Sequence, residues 1–210
     1  WQHAGATTRM TGPDALAAVL AQLEGFEAPA AAWESDVLPA RLDGYEIGWL
    51  DALCQSGRVV WMRLREREGA AARSVGPVRA TPIVLLQRRH LDTWTRLVAA
   101  DEPALSSRAR DVADHLREQG ASFFDELLAG TRLLHVQLED ALGELVAAGA
   151  VQSDGFSGLR ALLVPASKRD GAGSRHRRRR PALTNAAIAL TFAGADFRSA
   201  RRIAEAGGLR

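Results

Sequence analysis

The sequence predicts a mainly α-helical chain with β-hairpins, an α+β fold, on three observations. Apolar residues recur at helical spacing in two groups of three segments, each group is followed by a β-rich run, and one helix-to-strand pattern recurs at an offset of 92 residues. The 210 residues, 47% hydrophobic and 25% charged, have the proportions of a globular protein and allow one ordinary domain or two small ones.

The first group lies within residues 12–57. Gly12-Pro13-Asp14 places proline in a first helical turn, Leu16, Val19, Leu20 and Leu23 follow at helical spacing, and Gly25 stops the helix. A short helix around Ala31–Leu38 ends at Pro39. A third runs from about Tyr45 to Ser56, with Ile47, Leu50, Leu53 and Cys54 on one face and Gly57 after it. The period then changes: Val59–Met62 and Ile83–Leu86 are β-rich and are joined by a polar, glycine-containing stretch from Arg65 to Pro77.

The second group repeats the order. Ser106 or Ser107 can cap a helix that runs through Gln119 to Gly120, with Val112, Ala113 and Leu116 inward. A short helix follows over about Phe124–Ala129, then a longer one over about Leu134–Ala148 with Gly149 after it. Ala150–Ser153, a turn at Asp154–Gly158 and Leu159–Val164 read as a hairpin. Leu50-x-x-Leu53-x-x-x-Gly57-x-Val59 matches Leu142-x-x-Leu145-x-x-x-Gly149-x-Val151 position for position. Three helices followed by a ribbon, twice, is the pattern of tandem winged-helix modules. The expected organisation is therefore module 1 over 10–96, module 2 over 103–165 and a flexible basic tail over 166–210.

Charge divides the chain in the same places. Residues 1–57 carry a net −6, residues 58–96 a net +6, residues 97–165 a net −6 and residues 166–210 a net +8, within an overall +2. Of the 27 basic residues, 26 are arginine and only Lys168 is lysine, a bias that a GC-rich genome explains better than selection for phosphate binding does.

Two stretches resemble the C-terminal region of the bacterial large helicase-related (Lhr) superfamily-2 DNA helicases. The first comprises Pro13-Asp14-Ala15-Leu16 through Gly25, Ala31-Ala32-Trp33-Glu34, Val37–Arg41, Trp49–Cys54 and Gly57-x-Val59-Val60-Trp61. The second comprises Phe123–Leu127, Leu142-x-Glu144-Leu145-Val146, Ser153-Asp154-x-Phe156 and Gly158–Leu162. The resemblance covers roughly residues 10–165. It implies a piece of the region beyond the helicase core, containing tandem winged-helix modules similar to those of an alkylpurine DNA glycosylase and linked to DNA repair. It ends near Pro165, beyond which an Ala/Arg-rich end with Arg177–Arg180 replaces the β-rich sequence the family implies. A truncation scar or an out-of-frame translation is the expectation for that end. With Trp1 first and no signal-peptide pattern, the chain is expected to be a fragment of a longer bacterial cytoplasmic protein.

The motor implied by the resemblance is not in this stretch. A Walker A loop needs Gly-Lys-Ser/Thr to hold the β/γ-phosphates and Mg²⁺, and Lys168 stands between Ser167 and Arg169. No cofactor is therefore expected here, ATP and Mg²⁺ belonging to the parent. One cysteine rules out an internal disulfide framework, and no apolar run approaches the ~18–20 residues of a membrane span, so no membrane partner is expected.

Nucleic-acid binding is the function the charge permits. Arg58, Arg63, Arg65, Arg67, Arg73 and Arg79 lie on or between the first two strands, with Arg88 and Arg89 just beyond. A basic ribbon suits phosphates, which position a protein on DNA without reading sequence. The alternative is that these arginines solubilise an exposed hairpin and pair with Glu66, Glu68 and the acidic helices. Base reading is disfavoured, since helix 45–56 is expected to expose Glu46, Asp51 and Gln55, and helix 134–148 Gln137, Glu139, Asp140 and Glu144. Trp33, Trp49, Trp61 and Trp94 could stack on single-stranded bases, but core packing suits all except Trp94 better. No catalytic residue and no metal site is expected: the five histidines are scattered, Cys54 lies on an apolar face, and Asp125-Glu126 and Glu139-Asp140 point about 100° apart on their helices. The reading is a DNA-engaging, structural C-terminal segment of an Lhr-type repair helicase. DNA and the remaining domains of the parent are its partners. The alternatives are a protein-interaction or oligomerisation platform and a remnant of a DNA glycosylase-like module.

Overall fold

The structure, a computed structural model, describes residues 9–64, 78–97, 104–153, 155–163 and 188–190. The element order is α1 (Pro13–Gln22), β1 (Ala28–Pro29), a π-helical turn (Trp33–Val37), α2 (Ile47–Gln55), β2 (Val59–Met62) and β3 (Pro82–Gln87). There follow α3 (Leu91–Leu97), α4 (Ser107–Gln119), α5 (Phe124–Thr131), α6 (His135–Ala147), β4 (Val151–Ser153), α7 (Phe156–Leu163) and β5 (Ile188–Leu190). Short 3-10 turns at Val78–Ala80 and Arg88–His90 bracket β3.

From α1 to β3 the chain has the winged-helix order, helix–strand–helix–helix–strand–strand, with β1 and β2 flanking β3 in an antiparallel sheet. Local chemistry sets each boundary. Pro13 opens α1, and Gly25 (φ +82°) turns the chain out of it where a Cβ would run into the Trp94 ring. Helix α2 ends in a Schellman cap: Gly57 N–H donates to Cys54 O at 2.9 Å and Arg58 N–H to Leu53 O at 3.0 Å, with Gly57 at φ +70°.

The same cap recurs at the offset the sequence suggests. Gly149 N–H donates to Val146 O at 3.0 Å, Ala150 N–H to Leu145 O at 2.9 Å, and Gly149 sits at φ +65°. Before it, α4–α6 form a second three-helix bundle, with Ser106 capping α4 through Ala109 N–H and Gly120 (φ +81°) ending it.

The second ribbon is where the expectation fails. Its return strand is expected over residues 159–164, but Phe156–Leu163 is helix α7. Phe156, Leu159 and Leu163 recur at i, i+3 and i+7, and leucine, alanine and arginine are helix formers, so period 3.6 prevails over period 2. Strand β4 finds its partners elsewhere. It pairs antiparallel with β2 at Trp61↔Ser153 and with β5 over Val151↔Leu190 to Ser153↔Ile188. One five-stranded sheet, ordered β1-β3-β2-β4-β5, therefore threads both halves. Strand β5 also means that the expected irregular tail is ordered at Ile188–Leu190; the Arg177–Arg180 run and the 98–103 junction between the expected modules lie outside the described residues.

The core follows the sheet. Val59, Trp61, Ile83 and Leu85 face one continuous cluster with Leu16, Val19, Leu50 and Leu53 of the first half and Val112, Leu127, Leu138, Leu142, Phe156 and Leu159 of the second. Val60, Met62, Val84 and Leu86 face the other way, under Leu64, Leu91 and Trp94. With both faces covered and a neighbour on each edge, every residue of β2 is buried, which is why it reads as a continuous apolar run rather than an alternation.

Candidate nucleic-acid interface

Strands β2 and β3 hold the described arginines at two ends of one ladder. Val59 pairs with Gln87 and Met62 with Val84, so Arg58, Arg88 and Arg89 sit at the helix end, while Arg63 and Arg79 sit toward the tip, roughly 10 Å away at about 3.4 Å per residue. Arg65, Arg67 and Arg73 lie outside the described residues.

The described five divide by what they touch. Arg63 Nη1 donates to Ala147 O, a carbonyl at the end of α6, where a cation also meets the negative end of the helix dipole. Arg88 Nε donates to Gly57 O at 3.0 Å, and its backbone N–H to Arg58 O at 2.9 Å. These two are half-buried staples. Arg58, Arg79 and Arg89 are exposed, and among the described residues none of the three enters an ion pair. Among the described residues none of the three pairs with the acidic helices; Glu66 and Glu68, the other expected partners, lie outside the described residues.

Several carboxylates are engaged elsewhere. Glu24 accepts from Gln87 N–H and Gln87 Nε2, both at 3.3 Å, and lies 2.8 Å from His90 Nδ1, tying the end of α1 to the end of β3. Glu144 accepts from the N–H and Oγ of Ser106, both at 2.6 Å, and so joins α6 to the start of α4. Glu139 lies 3.5 Å from His135 Nδ1, one turn away, and the His135 ring packs on Phe124 with centroids 4.7 Å apart. The expectation that Glu139 and Glu144 face solvent is thus corrected: both are half-buried, and Asp140 is the carboxylate of that group which α6 leaves exposed.

Asp51 is corrected in the same way. Arg160 on α7 donates Nε and Nη2 to Glu34 at 2.7 and 2.8 Å, and Nη1 and Nη2 to Asp51 at 3.2 and 3.1 Å. Tyr45 Oη donates to the same Glu34 at 2.9 Å, and the guanidinium stacks 5.6 Å from the Phe156 ring centre. Burial, reinforced by the Glu34 charge, pushes the Tyr45 hydroxyl far above its ordinary range. Burial alone would lower the Arg160 guanidinium, but its hydrogen bonds to Glu34 and Asp51 outweigh that and raise it. In the sequence Arg160 is visible only as part of a resembling run; its partners are 126 and 109 residues away, beyond any local pattern.

The aromatic residues are mostly structural. Trp33 and Trp61 are buried and donate Nε1–H to Ile83 O and Gly155 O, each at 3.1 Å. Trp49 stands edge-on to Tyr45, and Trp94 lies half-buried against Gly25. Cys54 is buried. Among the described residues no group of histidine, cysteine and carboxylate side chains could hold a metal ion, and no helix is long and apolar enough to cross a membrane. Exposed apolar residues escape the sequence reading: Ile47, expected on the apolar face of α2, is 51% exposed, and Leu134 and Val136, at the start of α6, are 70% and 62% exposed. Beside them Arg132 occupies the left-handed region (φ 57°), at a turn where glycine is usual.

A family model described as the winged-helix domain of large helicase-related protein matches residues 1–88, the span that ends just past β3. A protein of Mycolicibacterium smegmatis named Lhr helicase/probable uracil glycosylase is 34% identical over 193 residues, 86% of this chain and 11% of that protein. One of Escherichia coli named Lhr helicase/uracil glycosylase is 31% identical over 179 residues, 80% of this chain and again 11% of the relative. The chain thus spans about a tenth of the length of each of these curated relatives.

Proposed function

The chain belongs to the large helicase-related family, and from that premise we propose that it is a DNA-engaging structural segment of an Lhr-type repair helicase, without a catalytic site of its own. The observation that carries this reading is the exposed state of Arg58, Arg79 and Arg89, outside any described ion pair, on a winged-helix ribbon beside which Glu24 already has partners within the chain. Such cations contact phosphates and position a protein without reading bases. The ATP- and Mg²⁺-dependent motor belongs to other parts of the parent, whose domains are the second class of partner.

Binding of labelled single-stranded and duplex DNA across a salt series tests the reading. Affinity should fall as salt rises, with a log–log slope near −0.9 per phosphate neutralised on duplex DNA, and an Arg58/Arg79/Arg89→Ala variant should flatten that slope by about that amount for every phosphate it no longer neutralises. No binding at low salt would remove the proposal.

Leu134 and Val136 support a second reading, a surface for protein contact, because paired aliphatic side chains this exposed on one helical turn offer phosphates nothing. A third reading, a remnant of a glycosylase-like module, rests on the names of the relatives. Against it, the carboxylates that share a site, Glu34 and Asp51, both face the Arg160 guanidinium and are held as its acceptors. Incubation with uracil-containing DNA and measurement of released base decides it.

A further inference from the structure

The second half is joined to the first by bonds of different kinds. The β2–β4 pairing at Trp61↔Ser153 is main-chain, and the Trp61 indole and the Arg63 guanidinium each donate to a carbonyl of the second half, on Gly155 and Ala147. Arg160 instead brings opposite charges together across the two halves. Its guanidinium reaches both the π-helical turn (Glu34) and the middle of α2 (Asp51). The side chains of Arg160, Glu34 and Asp51 are only 24%, 16% and 23% exposed, so water competes weakly for them.

We propose that α7 is a strap, with Arg160 as its buckle, that closes the second half over α2 and can open without unfolding either bundle. In a winged-helix unit the helix preceding the ribbon is the one presented to a DNA groove. Here the Asp51 face of that helix is taken by α7, which makes it a docking surface for the protein's own chain. The rest of α7 is held by apolar packing, with Phe156 and Leu159 in the shared core. It is a single eight-residue helix, of which Phe156, Gly158 and Leu159 are the buried residues. Helices of this length are not stable alone, so loss of the buckle frees the strap locally.

Hydrogen–deuterium exchange on the whole chain tests this without involving DNA, so its failure is separate from failure of the DNA reading. In Arg160→Met, amides of α7 and of the Asp51 turn of α2 should exchange about ten-fold faster or more, the order set by hydrogen bonds to charged groups, while α4 and α6 keep their protection. Arg160→Glu combined with Glu34→Arg should recover part of the protection that Arg160→Glu alone loses. Should Arg160→Met fail to fold, Arg160→Lys is read instead, since it keeps the charge but cannot fork between two carboxylates. Unchanged protection of α7, or an equal rise in every element, would overturn the proposal.

Discussion

Helix α2 and helix α6 end on the same cap, and the strands that follow them meet different fates. In both, a leucine carbonyl accepts from the residue after a left-handed glycine, and a valine strand begins two residues beyond that glycine. After Gly57 the chain makes its own return strand, and β2 pairs with β3 over four residues. After Gly149 the chain turns into α7 instead, and β4 borrows β2 on one edge and β5 on the other. A repeated local motif therefore fixes how a helix becomes a strand but not what the strand pairs with. That choice belongs to the segment that comes next, helix-forming Leu159–Leu163 in the second half and the β-branched, apolar Ile83–Leu86 in the first.

The largest test of this comparison is Trp61→Ala. Trp61 is where the two halves share the sheet, and its indole also holds Gly155. Truncating a buried tryptophan costs about 3–5 kcal/mol. Urea unfolding of the whole chain should show one transition shifted to lower denaturant, with fluorescence and circular dichroism coincident. Two separated transitions in the unmutated chain would mean that the halves are independent modules after all.

What is legible in the sequence and what is hidden follow from the same distinction. The caps, the proline start and the glycine stops can be read because each depends on residues within one turn: Ser106 with Ala109, Gly57 with Cys54, Gly149 with Val146. Strand β2 can be read because its β-branched and aromatic run has no helical period. The run Leu159–Val164 deceives because a short apolar stretch fits either element, and what settles it is packing against α2. The candidate site is legible as a concentration of arginine but not as a division of labour. Arg63 meets its carbonyl acceptor 84 residues away, and Arg160 its carboxylates more than a hundred away. Only the folded chain separates Arg58, Arg79 and Arg89 from the arginines it uses as staples.

A finer test asks whether the two caps are equal. Gly57→Ala and Gly149→Ala each force an L-residue into the left-handed region, at about 1–2 kcal/mol. At Gly57 the nearest atom to a new Cβ is Arg88 Nε at 3.6 Å, an ordinary contact, so backbone strain is the whole cost there. Matched losses in urea midpoint would sharpen the equivalence of the two helix ends. A Gly149 loss well above the Gly57 loss would show that the second cap also carries the β4–β2 junction.

The smallest effect on stability separates the surfaces of the halves. Leu134 and Val136 are exposed at the start of α6, so replacing both with glutamine should leave the unfolding free energy within about 0.5 kcal/mol, the range of surface substitutions. The three ribbon arginines are exposed as well, and Arg58/Arg79/Arg89→Ala should be equally silent in unfolding. The two variants part company in the DNA salt series. Phosphate binding through the ribbon predicts a flatter slope for the arginine variant and an unchanged slope for the glutamine pair, since aliphatic side chains release no counterions. If instead the glutamine pair lowers affinity without changing the slope, α6 touches DNA through apolar contact, and the second half engages nucleic acid by a different physics from the first.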